Sequence, residues 1–263
     1  MRKNQLGISL TGVMVGALTD PFDTVHMGLT AEAIADKWKI SREQQDEFSV
    51  ESHRRAMNAI EKGYFKDQIA PFELKTRKGT TVFDRDEHPR ADATVEGLAK
   101  LRAAFKKDGS VTAGNASGIN DGAAAVVLME RAAAEKKGLK PMARLVSYGI
   151  AGVDPKIMGI GPVPASKRAL EKAGLKVEQM DVIESNEAFA VQALAVSCDL
   201  KLDAKKTNPN GGAVGLGHPI GATGAVLTVK ALYELQRIGG KYALVTMCIG
   251  GGQGISAVFE RLN

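Results

Sequence analysis

The chain has 263 residues, 44% of them apolar, which is enough to bury a core and excludes disorder as the main state. Its 35 Lys and Arg against 30 Asp and Glu leave a net charge of +5, which suits a small anionic ligand and falls short of the basic stripes that grip nucleic acid. Two cysteines, Cys198 and Cys248, form neither a disulfide framework nor a metal pattern, so a reducing, cytoplasmic setting is expected, and no run reaches the roughly 18 apolar residues that span a bilayer.

In chain order, the opening "MRKNQLGISLTG" lacks a secretory leader pattern. Residues 30–63, "TAEAIADKWKI" and "SREQQDEFSVESHRRAMNAIEKG", read as two charged amphipathic helices. Ser41 and Gln44 stand in capping-box positions at the start of the second, and Gly63 closes it. Residues 64–118 mix short strands with Gly, Pro and polar stretches, the texture of a loop-rich subdomain. From about 119 buried strands and helices alternate: "GAAAVVLME" as a strand, helical "RAAAEKKGL", strand "ARLVSYG", helical "ASKRALEKAG" and strand "MDVIES". The helical "EAFAVQALAVSCDL" follows, with Phe189, Ala193 and Val196 on one face. A glycine-rich loop then leads into a helix ending at Gly239, with Ala225, Val229 and Leu232 in its stripe. "YALVTMCI" and "ISAVFE" are close enough to pair as a hairpin, so this half reads as an α/β layered sheet with helices packed on it.

The loop at 211–224, "GGAVGLGHPIGATG", invites a phosphate-binding reading. A dinucleotide fingerprint needs a hydrophobic strand before its glycines and an acidic residue at a strand end some 20 residues on. Here "KKTNPNGG" precedes, and Glu234 falls inside a helical pattern. The cluster "GGGQG" at 250–254 runs from strand to strand, so it has no helix N-terminus to offer a phosphate.

Three segments place polar groups at strand ends or helix starts, where open α/β sheets build sites: "SNEAFA", "GHPIGATG" and "MCIGGGQG". Singly each has a plain explanation. Asn186 fits an N-cap with Glu187 near the helix dipole, His218 a loop histidine, and Cys248 a core thiol. Together, an amide, an imidazole and a thiol supply what carbon–carbon bond formation at a thioester needs: a base for the α-proton and donors for the resulting oxyanion.

"NEAFA", "GHPIGATG" and "CIGGGQG", in this order, resemble the catalytic loops of the thiolases, acetyl-CoA C-acyltransferases of the β-ketothiolase type. "DPFDTVHMGLTAE", "SREQQDEF", "GYFKDQI", "LAKLRAAF" and "SVTAGNASGINDGAA" extend the resemblance over the whole chain. It implies an α+β loop domain that binds coenzyme A at 1–118, a strand–helix remnant of the N-terminal domain at 119–140, and a layered C-terminal domain at 141–263. Cys248 would be the general base. His218 would activate the acyl-accepting cysteine and share an oxyanion hole with Asn186 through a water, and Gly250 would lend a backbone N–H to a second hole. His26, Met27, Arg90, Phe105, Ala113 and Ser117 would line the coenzyme A site, with Met158 and Phe189 near the acyl and pantetheine end. The implied substrates are acetyl-CoA and other acyl-CoAs, in condensation or in thiolysis of 3-ketoacyl-CoA as in fatty acid metabolism. No metal, other cofactor, nucleic acid or membrane is implied, and the intact enzyme would be a dimer or tetramer.

The chain departs from the family in one respect. It begins near the start of the loop domain, so most of the first α/β half, with the nucleophilic cysteine in a "C-G-S-G" segment, is expected to be missing. Cys248 matches the base and Cys198 reads as core packing on a helix. The expectation is therefore a chain that is inactive alone, with apolar area exposed. The alternative is a non-catalytic coenzyme-A-binding or assembly subunit that pairs with a separate N-terminal half.

Overall fold

The computed structural model describes residues 16–262 together with the backbone of 2–3 and 9–10. Most of the opening stretch, and with it the reading of no leader, lies outside the described residues. Helices α1 (Met27–Trp38) and α2 (Arg42–Glu61) come after the short paired strands β1 (Arg2–Lys3) and β2 (Ser9–Leu10). The capping box forms as read: Ser41 accepts from the Gln44 N–H, and the Gln44 side chain accepts from the Ser41 N–H. An exposed antiparallel hairpin of β3 (Phe72–Thr76) and β4 (Gly79–Phe83) follows, then the short helix α3 (Val95–Ala99).

The second half holds a four-stranded sheet ordered β5, β8, β7, β6, built from β5 (Ala143–Gly152), β6 (Val182–Ser185), β7 (Tyr242–Ile249) and β8 (Gln253–Arg261). β7 and β8 pair antiparallel, the hairpin anticipated from their spacing, while β6 and β7 run parallel. Helix α5 (Pro162–Ala173) covers one face of this sheet, where Leu170 meets Ile183, Leu244 and Val258. Beyond the short helix α7 (Ala213–Leu216), helix α8 (Thr223–Ile238) covers the other, where Leu227 and Leu235 meet Val182, Ala243 and Val245. Successive residues of one strand thus bury on opposite faces, which is why "YALVTMCI" is apolar but for Thr246 and does not alternate.

A third cluster joins the halves: Ile34 and Ala31 of α1, Val191 and Val196 of α6 (Ala190–Leu200), Val111, Met158 and Cys248.

Four sequence expectations change. The strand expected over 122–130 does not form; no described strand lies beside it, and extended backbone needs a partner for its N–H and C=O groups. The helix after it does form, as α4 (Arg131–Lys136). The buried face of α8 is Thr223, Leu227, Lys230, Ala231, Glu234 and Leu235, not the stripe of Ala225, Val229 and Leu232, because two charged residues point inward with partners. Helix α6 starts at Ala190 with Phe189 at its N-cap position, so Asn186 caps nothing. Cys198 is exposed, on the solvent side of the last turn of α6, and is not core.

Val127 and Leu128 are 89% and 81% exposed, and Leu145, Tyr148 and Ile150 on the edge strand β5 are also open. With Val126 and Met129 also exposed, 126–129 is an unbroken open apolar run, and contiguous apolar surface is unusual on a monomer. The 263-residue chain is therefore expected to enhance the fluorescence of an apolar-surface dye and to self-associate in light scattering. A dye-silent monomer with a cooperative melt would contradict that.

Candidate active site

The parallel register of β6 and β7, Ser185 opposite Thr246, brings their C-terminal ends side by side. Asn186 leaves β6 with its N–H on the Thr246 carbonyl (2.9 Å), and Cys248 lies near the end of β7, so both sit at one edge of the sheet. Helix α8 starts near the same edge, close to Met247.

His218 stands in the loop ahead of α8. Its Nε2 lies 3.3 Å from Asn186 Nδ2 and its Nδ1 2.6 Å from Thr223 Oγ1. The Thr223 hydroxyl donates to the Pro219 carbonyl at 2.9 Å. With its one proton used there, Thr223 Oγ1 accepts from Nδ1–H, which leaves Nε2 bare to accept from the Asn186 amide. Burial lowers the His218 pKa to about 4, so the ring is neutral at pH 7. Asn186 Oδ1 is buried and has no partner among the described residues.

The loop that carries His218 is held backbone group by backbone group. Lys230 of α8 donates to the Gly211 carbonyl (2.6 Å) and to Glu184 Oε2 (2.8 Å). Ser52 of α2 accepts from the Gly212 and Gly215 N–H groups, each at 3.1 Å, and donates to Glu187 (2.6 Å), which accepts from the Val214 N–H (3.2 Å) and Asn208 (2.7 Å). Burial raises the Glu187 pKa, against the pull of its Ser52 and Asn208 bonds. Glu187 is thus an anchor for the histidine loop, not the dipole companion of a cap.

An apolar wall adjoins Cys248, which is 8% exposed: Met158 and Phe189 share its buried cluster, with Met27, Phe105 and Ala116 packed against it. The Phe105 ring stacks on His26 at 4.6 Å and meets Phe189 edge-on at 6.2 Å. His26 also caps α1, its Nδ1 accepting from the Gly28 N–H, and burial lowers its pKa. A Cβ on Gly250 would run into the Met27 side chain, so the β7–β8 turn and the start of α1 touch. Ser117 directs its N–H and hydroxyl to the Ala188 carbonyl, both at 3.0 Å, which ties the 113–117 loop to "NEAFA". Arg90 and Ala113 are exposed and are not part of this cluster.

The glycines of 250–254 serve close approach. Gly251 and Gly252 have φ of +80° and +82°, and a Cβ on Gly252 or Gly254 would collide with the backbone of the 153–161 segment. Burial pushes the Cys248 thiol up to about 11.

Of the residues gathered at and around this edge, the sequence singles out Asn186, His218 and Cys248 but not Thr223, Asn120, His88, Ser52 and Lys230. Thr223 was the most accessible of these, since it lies in the same glycine-rich stretch five residues after His218.

Fold and site together define an α/β protein in which an amide, an imidazole and a thiol gather at one sheet edge beside an apolar wall, and the comparisons give it a family. Residues 4–132 match the thiolase N-terminal domain model and residues 139–261 the thiolase C-terminal domain model. This chain belongs to the thiolase family. It is 66% identical over 254 residues to the beta-ketothiolase BktB of Cupriavidus necator, covering 96% of this chain and 64% of that protein. It is 56% identical to an acetyl-CoA acetyltransferase of Syntrophomonas wolfei over 94% of this chain and 63% of that one. The solved Bacillus anthracis acetyl-CoA acetyltransferase superposes with a TM-score of 0.95 at 50% identity over 100% of this chain and 68% of its own. The human mitochondrial 3-ketoacyl-CoA thiolase in complex with CoA gives 0.90 at 45% identity, over 99% and 67%. The chain thus spans somewhat under two thirds of the curated relatives it matches. Among the described residues no helix is long and apolar enough to cross a membrane.

Proposed function

We propose that this chain supplies the base, the oxyanion-binding groups and the coenzyme A wall for reversible carbon–carbon bond formation between acyl-CoA thioesters. The observation that carries this reading is the Asn186–His218 contact at the sheet edge where β7 brings Cys248.

The chemistry follows from protonation states. In the first half-reaction an acyl-accepting thiol attacks the thioester carbonyl and coenzyme A leaves as its thiol, taking its proton from the Cys248 thiol, which is left as the thiolate. Neutral His218, with Nδ1–H spent on Thr223, offers bare Nε2 to take the attacking thiol's proton. Once protonated, Nε2–H becomes a donor for the carbonyl oxygen as it turns negative. Asn186 adds its amide there through a bound water, a role that suits its unpartnered Oδ1.

In the second half-reaction the Cys248 thiolate removes an α-proton from acetyl-CoA, the carbanion forms the new bond to the acyl carbon, and the accepting sulfur leaves as its thiol with the proton that His218 Nε2 gives back. Gly250 contributes its N–H to the second thioester oxygen. Thiolysis runs the same steps backward, with Cys248 returning its proton. Met27, Phe105, Met158 and Phe189 hold the pantetheine and acyl portion, with His26, Arg90, Ala113 and Ser117 lining the rest. No resident cofactor enters.

The accepting sulfur is a different cysteine from the base. Of the two cysteines in these 263 residues, Cys248 holds the base position and Cys198 is exposed on α6, so the chain alone binds acyl-CoA without turning it over. Isothermal titration with coenzyme A, joined to intact-mass analysis after incubation with acetyl-CoA, tests this. Saturable binding with no stable acetyl adduct is expected. An adduct on Cys198 or Cys248, or the absence of binding, would overturn the reading.

A further inference from the structure

We infer that Asn120 and His88 are positioning residues for His218, clasping the end of its loop from two distant chain segments. The inference rests on the reading of His218 as the acid–base group of the site.

Three hydrogen bonds form one chain: His88 Nε2 to the Val214 carbonyl (3.1 Å), Asn120 Nδ2 to His88 Nδ1 (3.2 Å), and the His218 N–H to Asn120 Oδ1 (3.1 Å). Each link fixes the next. A carbonyl only accepts, so His88 carries its proton on Nε2 and leaves Nδ1 bare. Bare Nδ1 requires the Asn120 amide nitrogen, which turns Oδ1 toward the His218 N–H. His88 and His218 therefore hold opposite tautomers, each set by its own neighbours.

The contact is close. Gly217 has φ +102°, and a Cβ there would lie 2.7 Å from Asn120 Cγ. Ile119 bridges His218 in parallel, and a Cβ on Gly118 would lie 2.5 Å from His88 Cε1. Ser52, Glu187 and Lys230 hold the loop from 211 to 215, and the clasp adds the Val214 carbonyl and the backbone N–H of His218 itself.

The clasp answers to protons. A second proton on His88 goes to Nδ1 and converts the acceptor into a donor. Asn120 can meet it only by rotating its amide, which faces Nδ2 to the His218 N–H and breaks that bond. The titratable and charged groups around His88 are His53 of α2, at 6.1 Å ring to ring, and Arg90 and Asp86 of its own segment. Burial chiefly, then Arg90, disfavours the cation, while the Val214 bond and Asp86 favour it.

Only four histidines are present, so the full 263-residue chain with 15N-histidine gives a spectrum assignable by single His→Gln variants. At neutral pH His88 is expected protonated at Nε2 and His218 at Nδ1. Asn120→Ala is expected to speed hydrogen exchange at the His218 amide about tenfold or more. Asn120→Asp keeps an acceptor for that amide but sets a carboxylate against His88 Nδ1, raising the proton affinity of His88 about tenfold or more. Exchange within about twofold of wild type in folded Asn120→Ala, or an unmoved His88 titration in Asn120→Asp, overturns the inference. If Asn120→Ala does not fold, Asn120→Asp decides alone. Neither readout involves acyl transfer, so a chain that shows both yet binds no acyl-CoA refutes the functional reading and leaves the clasp standing.

Discussion

Lys230→Met is expected to lower the unfolding free energy by about 3–5 kcal/mol, because it leaves a buried carboxylate without its partner. The Lys230 and Glu184 side chains are 7% and 0% exposed and meet at 2.8 Å, and Lys230 also holds the Gly211 carbonyl. Burial raises the Glu184 pKa to about 7 from 4.5 even with Lys230 in place. Removing the ammonium pushes it further up. A carboxyl whose folded pKa lies above its unfolded value contributes stability below about 4.5 and loses it as pH rises through the folded value. The cost of Lys230→Met is therefore largest at pH 8 and shrinks towards pH 4.5, where Glu184 is neutral in the folded chain with or without Lys230. Urea denaturation at the two pH values checks this. The double variant Lys230→Met with Glu184→Leu is expected to recover most of the loss at pH 8, since no buried charge remains. A pH-independent cost, or a double variant as weak as the single, would mean that the pair does not act this way.

Lys230 also shows why part of the structure was hidden in the sequence. The sheet was legible because β7 is buried on both faces and reads as a nearly continuous apolar run, and because α2 announces its own start through Ser41 and Gln44. Helix α8 was legible as a helix but not in its facing. Lys230 and Glu234 look like solvent residues until Glu184, Asn210 and Arg237 are known to meet them, and those partners lie on other elements or in the same turn. The stretch "GAAAVVLME" failed for a different reason: its composition suits a buried strand, but a strand is made by a neighbour and none of the described strands lies beside it. At the site, Asn186, His218 and Cys248 could be found because they cluster in short glycine-rich or strand-end motifs. The residues that orient them could not. Asn120, His88 and Ser52 sit far from His218 in the chain and meet its loop only through the packing of the first half on the second.

Alkylation of Cys248 by iodoacetamide is expected to accelerate about tenfold per pH unit from pH 7 to 9, a rise of about a hundredfold. The thiolate is the reacting form, and burial holds the Cys248 pKa at about 11, so across this range every unit of pH multiplies the thiolate fraction by ten. At pH 7 that fraction is about a hundredfold below the value for a thiol at the ordinary 9.0. Peptide mass spectrometry separates Cys248 from Cys198, whose exposed sulfur serves as the reference for reagent access. A flat rate between pH 7 and 9 would mean a thiolate already formed and would contradict the burial effect. The raised pKa bears directly on the proposed chemistry. It makes the thiolate scarce, yet it also makes the thiolate that does form a stronger base, better matched to a carbon acid than an ordinary cysteine would be. In the thiolytic direction the same burial is an advantage without cost, because Cys248 then starts as the thiol and has a proton to give. In the condensing direction donors at the loaded site must stabilise the thiolate, so saturating acetyl-CoA is expected to flatten the pH dependence of whatever alkylation it does not block.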